Sequence, residues 1–333
     1  MTNRERFQAV LNFEKPQDRL PVIEWAGWWD QTIRSWQQQG LPGGMDGHEI
    51  HQFLGLDAHY QISYPTGTPD CPQPKYFGGP IMETEEDYEK LLPCLYQDSL
   101  IDAQVAQFRK LKEGHDRGDF PVWITLTGAF WFPRELFGIE NHLFSFFDYP
   151  DLYHRILKDL ADYQLRLLER VYEVLTPDFM TFAEDMSYNK GPMISEELFD
   201  TFLAPFYHRV VPFLREHGTK VIMDSDGDIS RMIPWMQRVG IEGVLPLERQ
   251  AGVDIGKLRQ QYPDFLFIGA FDKMTMRQST DAMRGEFERL LPTMKTGGFI
   301  ASCDHQTPPD VPLERYRDYI AMQFEYAEKA VRK

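Results

Sequence analysis

The stretch Lys220–Asp228, KVIMDSDGD, decides the fold class. Lys220 to Met223 is a short, largely apolar run of the kind that forms a buried strand, and it stops abruptly in Asp224–Ser225–Asp226–Gly227. Asp224 and Asp226 are two residues apart, so along a persisting strand they project to the same side. Gly227 then lets the chain turn sharply.

The same grammar recurs on both sides of this stretch. Upstream, Leu20–Trp25, Pro121–Thr127 (PVWITLT) and Phe179–Glu184 read as strands. Downstream, so do Gly243–Leu247, closed by Glu248, and Phe265–Ile268, followed by Gly269 and Asp272. The last, Phe299–Ser302, runs into Cys303, Asp304 and His305. Helical patterns fill the intervals. Asn3–Phe13 opens the chain with Phe7, Val10 and Leu11 on one face. Thr84 to Asp87 resembles a capped helix start with an acidic first turn. Asp151–Leu175 places Leu152, Ile156, Leu160, Leu167, Val171 and Val174 at helical spacing. Ser195 caps a helix reaching about Glu216, in which Pro205 predicts a kink, and Leu313–Val331 closes the chain. Strands alternating with helices predict a parallel sheet covered by helices: a (β/α)8 TIM-type barrel with an N-terminal helical extension. Seven strands are identified. Phe53–Ser63 supplies the eighth, or the barrel is incomplete.

The 333 residues contain no repeat, low-complexity tract or Gly/Ser linker, so a single domain over 1–333 is expected. With 42% hydrophobic and 26% charged residues the chain has the composition of a globular protein. A formal net charge of −16 without a basic cluster argues against nucleic acid and anionic membranes as partners. Met1–Arg6 is polar with no apolar segment behind it, and no apolar run approaches the roughly 20 residues of a spanning helix. The three cysteines, Cys71, Cys94 and Cys303, are odd in number and scattered, so no disulfide framework is expected. A reducing, cytoplasmic location follows from that reading.

In a (β/α)8 barrel the strand C-termini converge on one face, which carries the active site. The residues at these ends are Glu24, Glu184, Asp185, Asp224, Asp226, Glu248, Asp272, Asp304 and His305. Any one carboxylate could instead cap the helix after its strand. A whole ring of like charges in one cleft calls for a cation or a substrate to offset its repulsion. Asp224 and Asp226 with His305 nearby suit a divalent metal; the other reading is capping and loop hydrogen bonds. Cys303 is a weaker ligand candidate. His48, His51 and His59 read as loop residues. Trp25, Trp28, Trp29 and Trp36 belong either to a pocket wall or to the core.

Several stretches together resemble the uroporphyrinogen decarboxylase superfamily. They are Asn3–Phe7 (NRERF) with Asp18–Val22 (DRLPV), Ser195–Pro205 (SEELFDTFLAP), the Asp224 motif, Gly269 with Asp272, and Gly298–Pro312 (GFIASCDHQTPPDVP). The resemblance spans essentially the whole chain. Its decarboxylase branch holds an octacarboxylate substrate with an Arg-rich segment after the first strand. Here that place reads Glu24–Trp25–Ala26–Gly27–Trp28–Trp29–Asp30, with no arginine before Arg34. The other branch comprises corrinoid-dependent methyltransferases that hold zinc with a His-x-Cys pair and a distal Cys. Those positions correspond here to Asp224, Asp226 and His305. Two carboxylates and a neutral histidine keep the formal charge of two thiolates and a histidine, but with harder ligands.

The resemblance therefore implies a metal-dependent methyltransferase moving a methyl group between a corrinoid and a small acceptor. Asp224, Asp226 and His305 would bind a divalent metal, zinc being the first candidate. Glu184, Asp185 and Glu248 would orient substrate or accept protons. The expected partners are a small-molecule substrate, a corrinoid protein and, as a homodimer, a second copy of the chain. Two other readings stay open: a carboxy-lyase acting on porphyrinogen or a smaller substrate, and a non-catalytic corrinoid- or ligand-binding protein.

Overall fold

In the computed structural model, which describes residues 1–332, seven strands join in chain order into one parallel sheet. They are β1 (Tyr60–Ser63), β2 (Val122–Thr127), β3 (Phe179–Ala183), β4 (Lys220–Asp224), β5 (Gly243–Leu245), β6 (Leu266–Phe271) and β7 (Phe299–Cys303). Each strand pairs in parallel with the next, from Tyr60 against Val122 through to Phe271 against Cys303. Every residue of β6 and β7 is buried, which explains their unbroken apolar runs: a parallel sheet is covered on both faces. The helix Pro150–Tyr172 buries Leu152, Ile156, Leu160, Leu167 and Val171 as its spacing predicts. Ser195 caps its helix by accepting from Leu198 N. The expected kink at Pro205 takes the form of a π-helical turn, Phe199–Leu203, immediately before it. The wider turn accommodates a residue that lacks an N–H and crowds the preceding carbonyl. No helix among the described residues is long and apolar enough to cross a membrane.

The first expected strand is different. Leu20–Trp25 is extended and buried but belongs to no ladder. Its backbone bonds go mostly to side chains: Val22 N donates to Asp57 Oδ2 (2.8 Å), Trp25 N to Ser302 Oγ (3.2 Å), and Ile23 O accepts from Gln323 Nε2 (2.9 Å). Pro21 has no N–H to offer a neighbouring strand. Arg19 fixes Asp57 with two 2.6 Å hydrogen bonds. The segment thus stands between the sheet's two edges, touching the chain just before β1 and β7 itself. The seventh strand of the sheet is supplied by the end of the Phe53–Ser63 stretch.

Two further expectations are corrected. His48 and His51 sit on a helix, Gly47–Leu54, which Asp46 caps through Glu49 N. Cys71 and Cys94 form a disulfide with their Cα atoms 5.4 Å apart. An antiparallel bridge between Gly67 and Leu95 brings the two segments together locally, a proximity that cysteine counting does not reveal. The cysteines therefore no longer argue for a reducing compartment.

At the strand N-terminal end, opposite the candidate site, Asp178 is the tie point. Its Oδ1 accepts from Arg4 Nε (2.8 Å) and Gln8 Nε2 (3.0 Å), and its Oδ2 from His115 Nε2 (2.9 Å) and Val122 N (3.0 Å). Burial pushes its pKa up, but hydrogen bonds from His115 and Arg4 outweigh burial and hold it below the usual carboxylate value. A depressed folded pKa gives stability that is present above the unfolded value, about 3.9, and lost as pH falls through the folded one. Asp178→Asn should cost about 2–3 kcal/mol at pH 7 by urea unfolding, and the gap from wild type should shrink below about pH 4. A gap independent of pH would show that the carboxylate charge is not what holds this corner.

Candidate functional site

Four strand ends bring five side chains together. Asp185 follows β3, Asp224 ends β4 with Asp226 two residues on, Glu248 follows β5 and His305 follows β7. Ligand-capable atoms of Asp226, Glu248 and His305 all lie within 4.8 Å of one another, and so do those of Asp185, Asp224 and Asp226. Asp226 belongs to both groups, and its Oδ2 is 3.3 Å from His305 Nε2. All five are half-buried.

Backbone geometry aims these groups. Gly227 has φ +82°, and a Cβ there would come within 2.6 Å of the Tyr188 backbone, so only glycine fits the turn. The turn delivers Gly227 N to Glu248 Oε2 at 2.9 Å. Asp226 N donates to Asp185 Oδ1 at 3.1 Å, and Ser187 Oγ donates to Asp226 O at 2.9 Å. Asp185 itself adopts φ +44°, uncommon for a residue with a side chain. One oxygen each of Asp185 and Glu248 is thereby occupied by a backbone N–H.

The charge balance is unfavourable without a counter-ion. Burial, then the nearby Asp185 and Asp226, push the Asp224 pKa far above its usual value. The Asp224 carboxylate accepts no hydrogen bond among the described residues. Burial and Asp226 raise Asp185 to about 6. His305 is raised because its hydrogen bond to Asp226 outweighs burial. Such a cluster holds protons or a cation.

The remaining members of the expected ring turn elsewhere. Glu184 is buried and accepts from Ala129 N (2.7 Å), Phe130 N (2.7 Å), Trp131 N (3.2 Å) and the Tyr207 hydroxyl. It anchors the start of the helix Trp131–Phe137 and does not face the cluster. Burial lifts it to about 7 against the pull of these donors. Glu24 accepts from Ser302 Oγ (2.7 Å) and Tyr316 OH (3.0 Å). Asp304 accepts from Arg249 N (2.9 Å) and Lys273 N (3.2 Å), and Asp272 caps Met274 N (2.9 Å). Cys303 is fully buried, its thiol pushed up by burial. Trp25, Trp28 and Trp36 are buried and Trp29 is exposed; the Trp25 ring meets His305 edge-on at 6.4 Å.

The structure regroups the residues read from the sequence. Asp224 and His305 do not share one ligand group; each joins Asp226 from a different side. Glu248, expected as an acid/base group, stands with Asp226 and His305. Not foreseen was a large cavity beside the cluster, lined by Tyr64, Thr66, Trp131 and Arg134 among others. The signal available for it was the Gly128–Trp131 turn directly after PVWITLT.

A parallel sheet with polar groups gathered at its strand C-termini places the chain among α/β proteins with a C-terminal-face site. It belongs to the uroporphyrinogen decarboxylase (URO-D) family, whose model matches residues 62–325. Among solved structures, a methyltransferase from Methanosarcina mazei is similar at 16% identity and a TM-score of 0.66, covering 98% of this chain and 99% of that one. A putative vitamin-B12-independent methionine synthase from Listeria monocytogenes is similar at 10% identity and a TM-score of 0.49, covering 96% and 99%. Comparison with curated proteins gives no match.

Removing the Glu184 carboxylate leaves three buried N–H groups and the Tyr207 hydroxyl unpaired. Glu184→Ala should cost about 3–5 kcal/mol in chemical unfolding, and Glu184→Gln distinctly less. A loss under about 1 kcal/mol for Glu184→Ala would refute the anchoring role.

Proposed function

We propose that this chain is a metal-dependent methyltransferase of the URO-D family, passing a methyl group between a corrinoid on a partner protein and a small acceptor. The observation that carries this reading is the cluster of Asp226 with Glu248 and His305 on one side and with Asp185 and Asp224 on the other. The whole-length fold similarity to a protein described as a methyltransferase supports it. We read the fold as a (β/α)8 barrel forming one domain, with Leu20–Trp25 in the place of the eighth strand.

Asp226, Glu248 and His305 would hold a divalent ion, and Asp224, half-buried without a hydrogen-bond partner, adds charge beside it. Mixed carboxylate and imidazole ligation suits zinc or manganese. When bound, the ion supplies a Lewis acid that eases deprotonation of the acceptor. Backbone N–H groups fix one oxygen of Glu248 and one of Asp185, which orients the other oxygen towards the cluster. Asp185 Oδ2 is placed to take up the acceptor's proton, with a pKa raised to about 6.

Purified protein should retain about one divalent ion by elemental analysis, and Asp226→Ala should weaken its binding by more than about 100-fold. His305 and Asp185 hold protons to higher pH than usual, and a metal must displace those protons, so affinity should fall as pH drops from 7.5 towards 5.5. Methylcobalamin consumption with a panel of thiol acceptors should stop on metal removal and return on re-addition. Turnover unaffected by chelation would reject the metal's role, and no turnover with metal bound would favour a binding protein.

The carboxy-lyase reading for uroporphyrinogen lacks its cationic cradle. Arg34 is exposed and paired with Asp30 at 2.5 Å, Lys75 is exposed, and Arg134 lines a cavity as its one cation among the described residues, a single guanidinium against eight carboxylates. Burying an octacarboxylate against carboxylates costs several kcal/mol unless cations intervene. Incubation with uroporphyrinogen under reducing conditions should yield no coproporphyrinogen; sustained conversion would overturn the methyltransferase assignment.

A further inference from the structure

A cavity of about 700 Å³ opens beyond the ends of β1 and β2, within the range of small-molecule sites. Its walls are largely apolar, including Pro65, Pro72, Phe77, Phe132 and Ile139. It adjoins the acidic cluster, because Thr127 on its wall pairs with Ala183, two residues before Asp185. One wall is stiffened by the Cys71–Cys94 disulfide and by Thr68 N donating to Cys94 O at 2.8 Å.

Two charged residues line this cavity, Arg134 and Glu135. Glu135 accepts from Trp131 Nε1 at 2.9 Å, which turns its carboxylate to the indole edge. Arg134 lies over the face of the same indole, 4.6 Å from the ring centroid, and no carboxylate pairs with it among the described residues. Its charge acts on Asp185 and Glu135 from beyond ion-pair distance, so its N–H groups are not taken up by either acid. Stacking fixes its plane and leaves the donor fork open for a planar anion. The helix that carries it, Trp131–Phe137, is pinned at its start by Glu184, so the fork is preorganised.

We propose that this cavity binds an amphipathic monoanion, a flat apolar body carrying one carboxylate, with Arg134 as the specificity-determining residue. The apolar walls take the body and the single guanidinium takes the single charge. This site goes beyond the methyl-transfer reading and does not require the metal.

The test uses biphenyl-4-carboxylate and its neutral analogue biphenyl-4-carboxamide as probes, titrated by calorimetry in the presence of EDTA. Chelation removes any metal from the acidic cluster, so a bound ion cannot be what holds the carboxylate. Wild-type protein should bind the carboxylate about tenfold or more tighter than the amide, as expected for a charge-assisted bidentate contact. Arg134→Gln should bring the two probes to within about twofold while leaving amide binding unchanged, which also reports that the cavity is intact. Thr66→Trp, filling the cavity from its wall, should weaken both. The proposal is overturned if wild type binds neither probe or binds both equally. It is also overturned if the preference survives Arg134→Gln, or if Thr66→Trp leaves binding untouched.

Discussion

The strand C-terminal ends of this protein are organised around one buried carboxylate, that of Glu184. Glu184 leaves the end of β3 and grips the N–H groups of Ala129, Phe130 and Trp131, so the loops after β2 and β3 cannot move independently. Gly128 is tied to the same contact, since a Cβ there would overlap the Glu184 carboxyl. Its neighbour Asp185, in a left-handed conformation, turns the other way and meets Asp226 N. Two adjacent acids therefore do opposite work. One fixes the helix carrying Arg134 and the other completes the acidic cluster, so the cavity and the cluster share one mechanical support.

That division explains the pattern of burial and protonation. Glu24, Glu184 and Asp304 are buried and surrounded by donors that compensate their burial. Asp185, Asp224, Asp226 and Glu248 keep partial access to solvent and have fewer donors than oxygens. Desolvation raises the pKa of Glu184 and of Asp185 alike, so a raised pKa alone does not distinguish an anchor from a reactive group. The hydrogen-bond inventory does: both oxygens of Glu24, Glu184 and Asp304 accept a hydrogen bond, whereas the Asp224 carboxylate accepts none among the described residues.

The strand ends were legible because a parallel strand is buried on both faces and reads as an apolar run that a polar residue must terminate. Lys220–Asp224 and Phe299–Cys303 announce themselves in this way. Leu20–Trp25 carries the same apolar signature, yet most of its hydrogen bonds go to side chains, among them Ser302 and Gln323 from distant positions, which no local pattern encodes. The sequence marks which acids end strands, but not which of them face one another: Glu24, Glu184, Asp272 and Asp304 turn away from the cluster of Asp185, Asp224, Asp226, Glu248 and His305. Whether an acid at a strand end turns towards the mouth or back to a helix start depends on the rotation of one or two backbone angles, as at Glu184 and Asp185. The Cys71–Cys94 bridge and the cavity it borders depend on a loop conformation for which the sequence has no periodic signal.

Between its two edges the sheet is joined by the Leu20–Trp25 segment, and this joint has a different mechanical character from the rest. Elsewhere neighbouring strands share rungs whose strength is nearly independent of side-chain identity. Here a single backbone bond, Asp57 N to Val22 O at 2.8 Å, is supplemented by the side chains of Asp57, Ser302 and Gln323, each reaching a specific backbone atom. The strength of this joint, unlike that of the ladder, is therefore set by the identity of a few side chains, and a single substitution among them reaches the line where the sheet's two edges face each other.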